Sequence, residues 1–169
     1  DALIPYCRSV DFHRWVPRFD DDSLTEKPRS FQLFWSEDFK KLLSQVIERH
    51  AIQLVQLEYS ELGQYVTEVP ASIPVVLTEH DISFRTHGRR MKLGFAERYP
   101  ESQNFCASKQ DVRRILLHEL DACRRADSVH VMSTEDGRYL SRFLGQRASH
   151  LRVMPNGVGC RLGSMSRLR

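Results

Sequence analysis

His80 stands between two acids, Glu79 and Asp81, directly after an apolar run from Ile73 to Thr78. An imidazole at the end of a strand can hydrogen-bond a sugar hydroxyl or steady developing charge, and a neighbouring carboxylate can fix its tautomer. A strand-end histidine satisfied by backbone is the plainer account of the same residue. Glu58 and Tyr59 close the preceding run, Ile52 to Leu57. They read equally well as substrate contacts or as a helix-capping carboxylate and a core-edge aromatic. Arg85, Arg89, Arg90 and Lys92 form a basic cluster just beyond His80. Such a cluster attracts a phosphorylated or lipid-linked molecule, and it also suits a solvated loop.

Other chemistries lack their motifs. A dinucleotide site wants Gly-x-Gly-x-x-Gly between a strand and a helix, so that the pyrophosphate can approach the helix N-terminus. Gly157, Gly159 and Gly163 come late and precede no convincing helix, and the P-loop pattern is absent. No Gly-x-Ser-x-Gly turn offers a hydrolase nucleophile. A metal would have to rest on Glu79, His80 and Asp81 or on His118, Glu119 and Asp121, because His-Glu-x-x-His is missing. Neighbours such as His118 and Glu119 point about 100° apart on a helix, so no metal and no cofactor is expected, and His118 reads as a surface or half-buried histidine.

The elements that position these residues follow from periodicity. Phe39, Leu42, Leu43, Val46 and Ile47 recur at helical spacing, so a helix runs from about 37 to 50 with Ser36 as its N-cap. Val112, Ile115, Leu116, Leu120 and Cys123 line a second from about 108 to 126. Tyr139, Leu140, Phe143 and Leu144 line a third from about 134 to 145, which Gly145 stops. The short runs Ile52 to Leu57, Ile73 to Thr78, Val129 to Ser133 and Leu151 to Met154 read as strands covered on both faces, as in parallel sheets. Residues 82 to 107, polar and punctuated by Gly88, Gly94 and Pro100, read as a long mobile connection.

Alternation of helix and strand predicts an α/β fold, Rossmann-like, with a mainly parallel sheet and helices on both faces. Ligands in such sheets bind beyond the carboxyl ends of the strands. That rule selects Glu58 and Tyr59, Glu79 to Asp81, Ser133 to Asp136 and Pro155 to Val158.

With 169 residues, 41% of them apolar and 28% charged, the chain fits one packed domain. No apolar run approaches the roughly 20 residues of a membrane span, and residues 1 to 10 lack the order of a signal peptide. The four cysteines form no Cys-x-x-Cys pair, so reduced thiols in an intracellular chain are expected. The net charge of +3 hides a gradient: residues 51 to 82 carry 5 acids and no base, while residues 128 to 169 carry 7 bases and 2 acids. The bases are spread over several elements without a recognised nucleic-acid module, so no nucleic acid is expected as a partner.

Glu119 to Asp127 (ELDACRRAD), Ser128 to Ser133 (SVHVMS) and Leu151 to Val158 (LRVMPNGV) resemble the N-terminal half of group 1 retaining glycosyltransferases of GT-B architecture. The stretches Gln56 to Tyr59 (QLEY), Leu62 to Tyr65 (LGQY) and Val76 to Asp81 (VLTEHD) add to the resemblance, which covers about 120 residues from the helix at 37 onward. It implies a single Rossmann-like domain over residues 1–169. Residues 1–35 would follow the family's first strand and Gly-rich loop, and 159–169 would be a tail matching nothing in the family. The C-terminal donor domain would be absent and the piece truncated at both ends.

The implied activity of the intact protein is transfer of a sugar from a nucleotide sugar to a glycan or lipid-linked acceptor, in the cytoplasm or at the inner face of the membrane. Such an enzyme serves polysaccharide biosynthesis, and the fragment would not act alone. In that resemblance His80 is catalytic. Glu58, Tyr59, Asp81, Arg85, Arg90, Ser133, Asn156 and Gly157 bind substrate, and Glu119 shapes the cleft wall. The implied partners are the nucleotide sugar, the acceptor, the missing donor domain and, peripherally, a membrane. The rival expectation is a non-catalytic or degenerate α/β binding module.

Overall fold

A computed structural model describes residues 7–14, 27–94, 98 and 108–157. The expected tail, 159–169, the N-terminal segments 1–6 and 15–26, and the connection 95–97 and 99–107 lie outside the described residues.

The order is α1 (Arg29–Phe34), α2 (Glu37–His50), β1 (Val55–Glu58), a 3₁₀ helix (Leu62–Glu68), β2 (Val75–Glu79) and α3 (Ser83–Lys92). There follow α4 (Lys109–Arg125), β3 (Ser128–Val131), α5 (Thr134–Leu144), a second 3₁₀ helix (Gly145–His150) and β4 (Leu151–Val153). The four strands pair in the order β1-β2-β3-β4, all parallel. The fold is thus α/β and Rossmann-like, an all-parallel sheet flanked by helices.

Local chemistry sets the ends of these elements. The Ser36 hydroxyl accepts the Phe39 N–H at 3.2 Å to cap α2, Glu37 and Asp38 sit in its positive first turn, and Ala51 ends it in the left-handed region at φ 48°. Asp127 ties the start of β2: its carboxylate accepts the Val75 N–H at 2.8 Å and its own N–H donates to the Val75 carbonyl at 2.9 Å.

Strand parity decides what each face carries. Val55, Leu57, Val75, Leu77, Val129 and Val131 are buried. The first 3₁₀ helix sits on this face so closely that a Cβ at Gly63 would lie 2.8 Å from the Ala122 Cβ and 3.4 Å from Leu77. On the same face, α5 places Gly137 against Val131, Leu151 and Val153. An order that advances one strand at a time keeps right-handed crossovers on one side of a sheet, and the described helices that touch these strands follow that rule. The even positions of β1 and β3 are polar and only partly covered: Gln56 is exposed, while Glu58, Ser128 and His130 are half-buried. Cover on both faces, expected for every strand, is therefore approached only in β2, where Val76 is half-buried and Thr78 buried.

A second cluster lies at the Tyr65 ring, which is fully buried. Its hydroxyl donates to the Phe34 carbonyl and accepts the Ser36 N–H, both at 2.8 Å, and its ring stacks on Trp35 at 5.1 Å. This pins the α1–α2 junction to the first 3₁₀ helix.

The segment expected to be a loose connection begins instead as a ten-residue helix, α3. It runs antiparallel to α4, since Phe84 meets Glu119 while Gly88 faces Val112. Cys123 reaches Glu79 at the end of β2, and Asp127 reaches Val75 at its start. The part of α4 before Glu119 consequently extends past the carboxyl edge of the sheet, by about 15 Å at 1.5 Å per residue, with α3 beside it.

Candidate functional site

Two loops meet at the carboxyl edge, one after β1 and one after β2. Tyr59 is held at φ 72°, in the left-handed region that a bulky side chain rarely adopts. Its N–H continues the ladder to the Thr78 carbonyl at 2.8 Å, and its carbonyl accepts the Leu62 N–H at 3.1 Å. The ring that emerges is 56% exposed and stacks on the His80 imidazole with centroids 4.4 Å apart. Strain of this kind persists only where the surroundings over-determine it and clusters at functional sites.

Beside this stack the Glu58 carboxylate lies 2.7 Å from His80 Nε2. A carboxylate only accepts, so Nε2 donates, and in the neutral ring Nδ1 is left as an acceptor. Gln56 braces the arrangement by donating to Glu58 at 2.5 Å and to the Thr78 hydroxyl at 3.2 Å. Glu58 therefore fixes the imidazole, a task the sequence assigned to Glu79 or Asp81. Asp81 is exposed, and Glu79 points into the core, 1% exposed.

Under the two loops lies a buried polar cluster. Neither Ile82 nor any nearer side chain caps α3. Glu119, fully buried on α4, does so from a distance: one oxygen accepts the Ser83 N–H at 2.8 Å and the other the Phe84 N–H at 2.9 Å. Ser83 and Ser60 share a hydroxyl hydrogen bond of 2.5 Å that joins the β2 loop to the β1 loop. Glu79 has one oxygen 3.7 Å from the Cys123 sulfur, while its other has no partner. Burial, then the charges of Glu119 and Glu61, push Glu79 well above the ordinary carboxylate range. Burial also drives Glu119, up to about 8, against the pull of its two backbone donors. Cys123 is pushed up by burial and stays a thiol.

The remaining expected site residues lie away from this stack. Arg85 lies on α3, where it donates to Asp136 at 2.8 Å, bonds Glu135, and packs over the Tyr139 ring at 4.7 Å. Its charge thus joins α3 to α5. Ser133 caps α5, accepting the Asp136 N–H at 3.0 Å and donating to its carboxylate at 2.6 Å. Arg90 is exposed near the end of α3, and Asn156 and Gly157 are exposed beyond β4. The contacts that bring expected residues together are those of Glu58, Tyr59 and His80 and, through the shared Asp136 carboxylate, those of Arg85 and Ser133. His118 is half-buried with its ring against Phe31, and no cluster of three metal-ligating side chains occurs among the described residues. Ser60 and Ser83 carry no signal in the sequence, and Gln56 enters there only as part of the QLEY stretch. Glu79 could have been placed by parity, since it continues the inward series Val75, Leu77.

No family model matches the chain, and neither a curated protein nor a solved structure does so. Among the described residues no helix is long and apolar enough to cross a membrane.

Proposed function

We propose that this chain is the acceptor-binding part of a glycosyltransferase that moves a sugar from a nucleotide sugar to a glycan or lipid-linked acceptor. The observation that supports it is the Glu58–His80 bond under the exposed Tyr59 ring at the carboxyl edge of a parallel sheet. An exposed aromatic face suits the apolar face of a sugar ring, and the free Nδ1 suits a hydroxyl donor. In a retaining transfer the diphosphate leaves as the acceptor hydroxyl attacks on the same face. Positioning and charge stabilisation then carry the catalysis, with no side-chain nucleophile. A cytoplasmic location, polysaccharide biosynthesis and a separate donor domain belong to this same reading.

A non-catalytic binding module is the second reading. It is favoured by Arg85 and Ser133, whose polar groups are engaged within the fold.

Ring signals of Tyr59 and His80, followed by NMR during addition of oligosaccharides and of nucleotide sugars, test the proposal. Saccharides are expected to shift both rings in the parent and to leave the His80 ring unshifted in Tyr59→Ala. Silence of both rings toward every saccharide would overturn the proposal and leave the non-catalytic reading.

A further inference from the structure

The Tyr59–His80 pair is gripped from two sides. On the open side Glu58 bonds His80, and both side chains are partly exposed, so that bond restrains little. The other grip is buried. Ser60, next to Tyr59 in the chain, is 1% exposed, and its hydroxyl lies 2.5 Å from that of Ser83, three residues after His80. Ser83 in turn gives its N–H to one Glu119 oxygen at 2.8 Å, and the other oxygen takes the Phe84 N–H at 2.9 Å. A continuous hydrogen-bonded path therefore runs from the fully buried Glu119 on α4, through the start of α3, to the loop that carries the Tyr59 ring.

We propose that Ser60 and Ser83, anchored by Glu119, are positioning residues that hold the Tyr59 and His80 rings in register for a ligand. The first reason is the left-handed φ of 72° at Tyr59. A bulky residue stays in that region only while its surroundings hold it there, and Ser60 is the adjacent residue whose side chain is tied into the core. The second reason is the chemistry of the path. Buried hydrogen bonds in a connected network are stronger than those in water and restrict their members to one arrangement. For stability alone such a hydroxyl pair is dispensable, because removing both partners together leaves neither an orphaned donor nor an orphaned acceptor. What the pair adds is geometry, at the base of the two loops whose rings meet above it. The inference rests on the reading of Tyr59 and His80 as a ligand-binding pair, and it assigns to two serines a task that no motif marks.

Ser60→Ala, Ser83→Ala and their double variant in the 169-residue chain test the proposal by three measurements. These are the ring-current shifts of Tyr59 and His80 without ligand, the affinity for maltotetraose, cellotetraose and chitotetraose, and stability to denaturant. Each single substitution leaves a buried hydroxyl unpaired and is expected to lower stability, and the double variant is expected to regain much of the loss. Ring shifts and saccharide affinity are expected not to recover with it. The double variant should keep a loosened stack and bind about tenfold more weakly than the parent, within the range of coupling inside one hydrogen-bond network. A serine pair with a merely structural role would not give that split. An unchanged ring stack in the double variant, or an affinity that returns with stability, would overturn the proposal. Should the double variant not fold, the single variants decide by their ring shifts at a temperature where both are folded, and an unaltered stack in either overturns it. Should no saccharide bind the parent, the glycosyl-transfer reading falls, while the ring shifts still decide whether the serines position the pair.

Discussion

Glu58 and Glu79 are the last residues of neighbouring strands, and parity sends them to opposite faces of the sheet. Glu58 is half in water, and its oxygens take bonds from His80 and Gln56. Glu79 is sealed between β2 and α4, with one oxygen lacking any partner. The same side chain is thus a hydrogen-bonding arm on one face and a buried proton holder on the other. What sets Glu79 apart is the loss of solvent, since burial disfavours a charged carboxylate.

The buried side of the comparison breaks most sharply at Glu119. Glu119→Ala leaves the Ser83 and Phe84 N–H groups buried without an acceptor, an expected loss of about 3 kcal/mol or more, read by chemical denaturation. Glu119→Gln, which keeps one acceptor oxygen, should lose less.

Glu79 sharpens the comparison through pH. Its folded pKa and that of Glu119 are raised, so the folded state binds more protons than the unfolded chain between the unfolded value, about 4.5, and the folded values, about 8 for Glu119. Stability from these groups is full below that window and declines as pH rises through it, by up to about 1.4 kcal/mol per pH unit for each group. Glu79→Gln is expected to flatten the decline, so that the variant melts closest to the parent at acid pH and gains on it at alkaline pH. Parallel melting curves across the window would remove Glu79 from the account.

The smallest stability effect is expected on the open side. Glu58→Ala removes a partly exposed pair, worth under about 1 kcal/mol. It should nonetheless loosen the His80 ring against Tyr59, visible as altered ring-current shifts. A large loss of stability on Glu58→Ala would erase the difference between the two glutamates.

How legible these features were in the sequence depended on how local their causes are. Helix α2 follows from apolar spacing and from Ser36, its own neighbour in the chain. Helix α3 was read as loop because Gly88 and its dense charge conceal any apolar stripe, and because its capping group, Glu119, comes from 36 residues away. Glu58, Tyr59 and His80 could each be named from their places at strand ends. Their contact arises only once parallel pairing aligns Glu58 with Thr78 and brings His80 to its side across 22 residues of chain. Arg85 gave no hint of its engagement, since Glu135 and Asp136 lie about fifty residues on.

The sequential strand order also bears on how the chain assembles. Each strand lies beside its successor, so no pairing has to wait for a distant part of the chain, and every loop to be closed is a single connection. Closure entropy grows only slowly with loop length, and low sequence separation favours fast folding. The β1–β2 pair, joined by the short stretch around the first 3₁₀ helix, has the least chain to order. It can serve as the template onto which β3 and then β4 add, so that the sheet grows from one margin like courses laid on a wall.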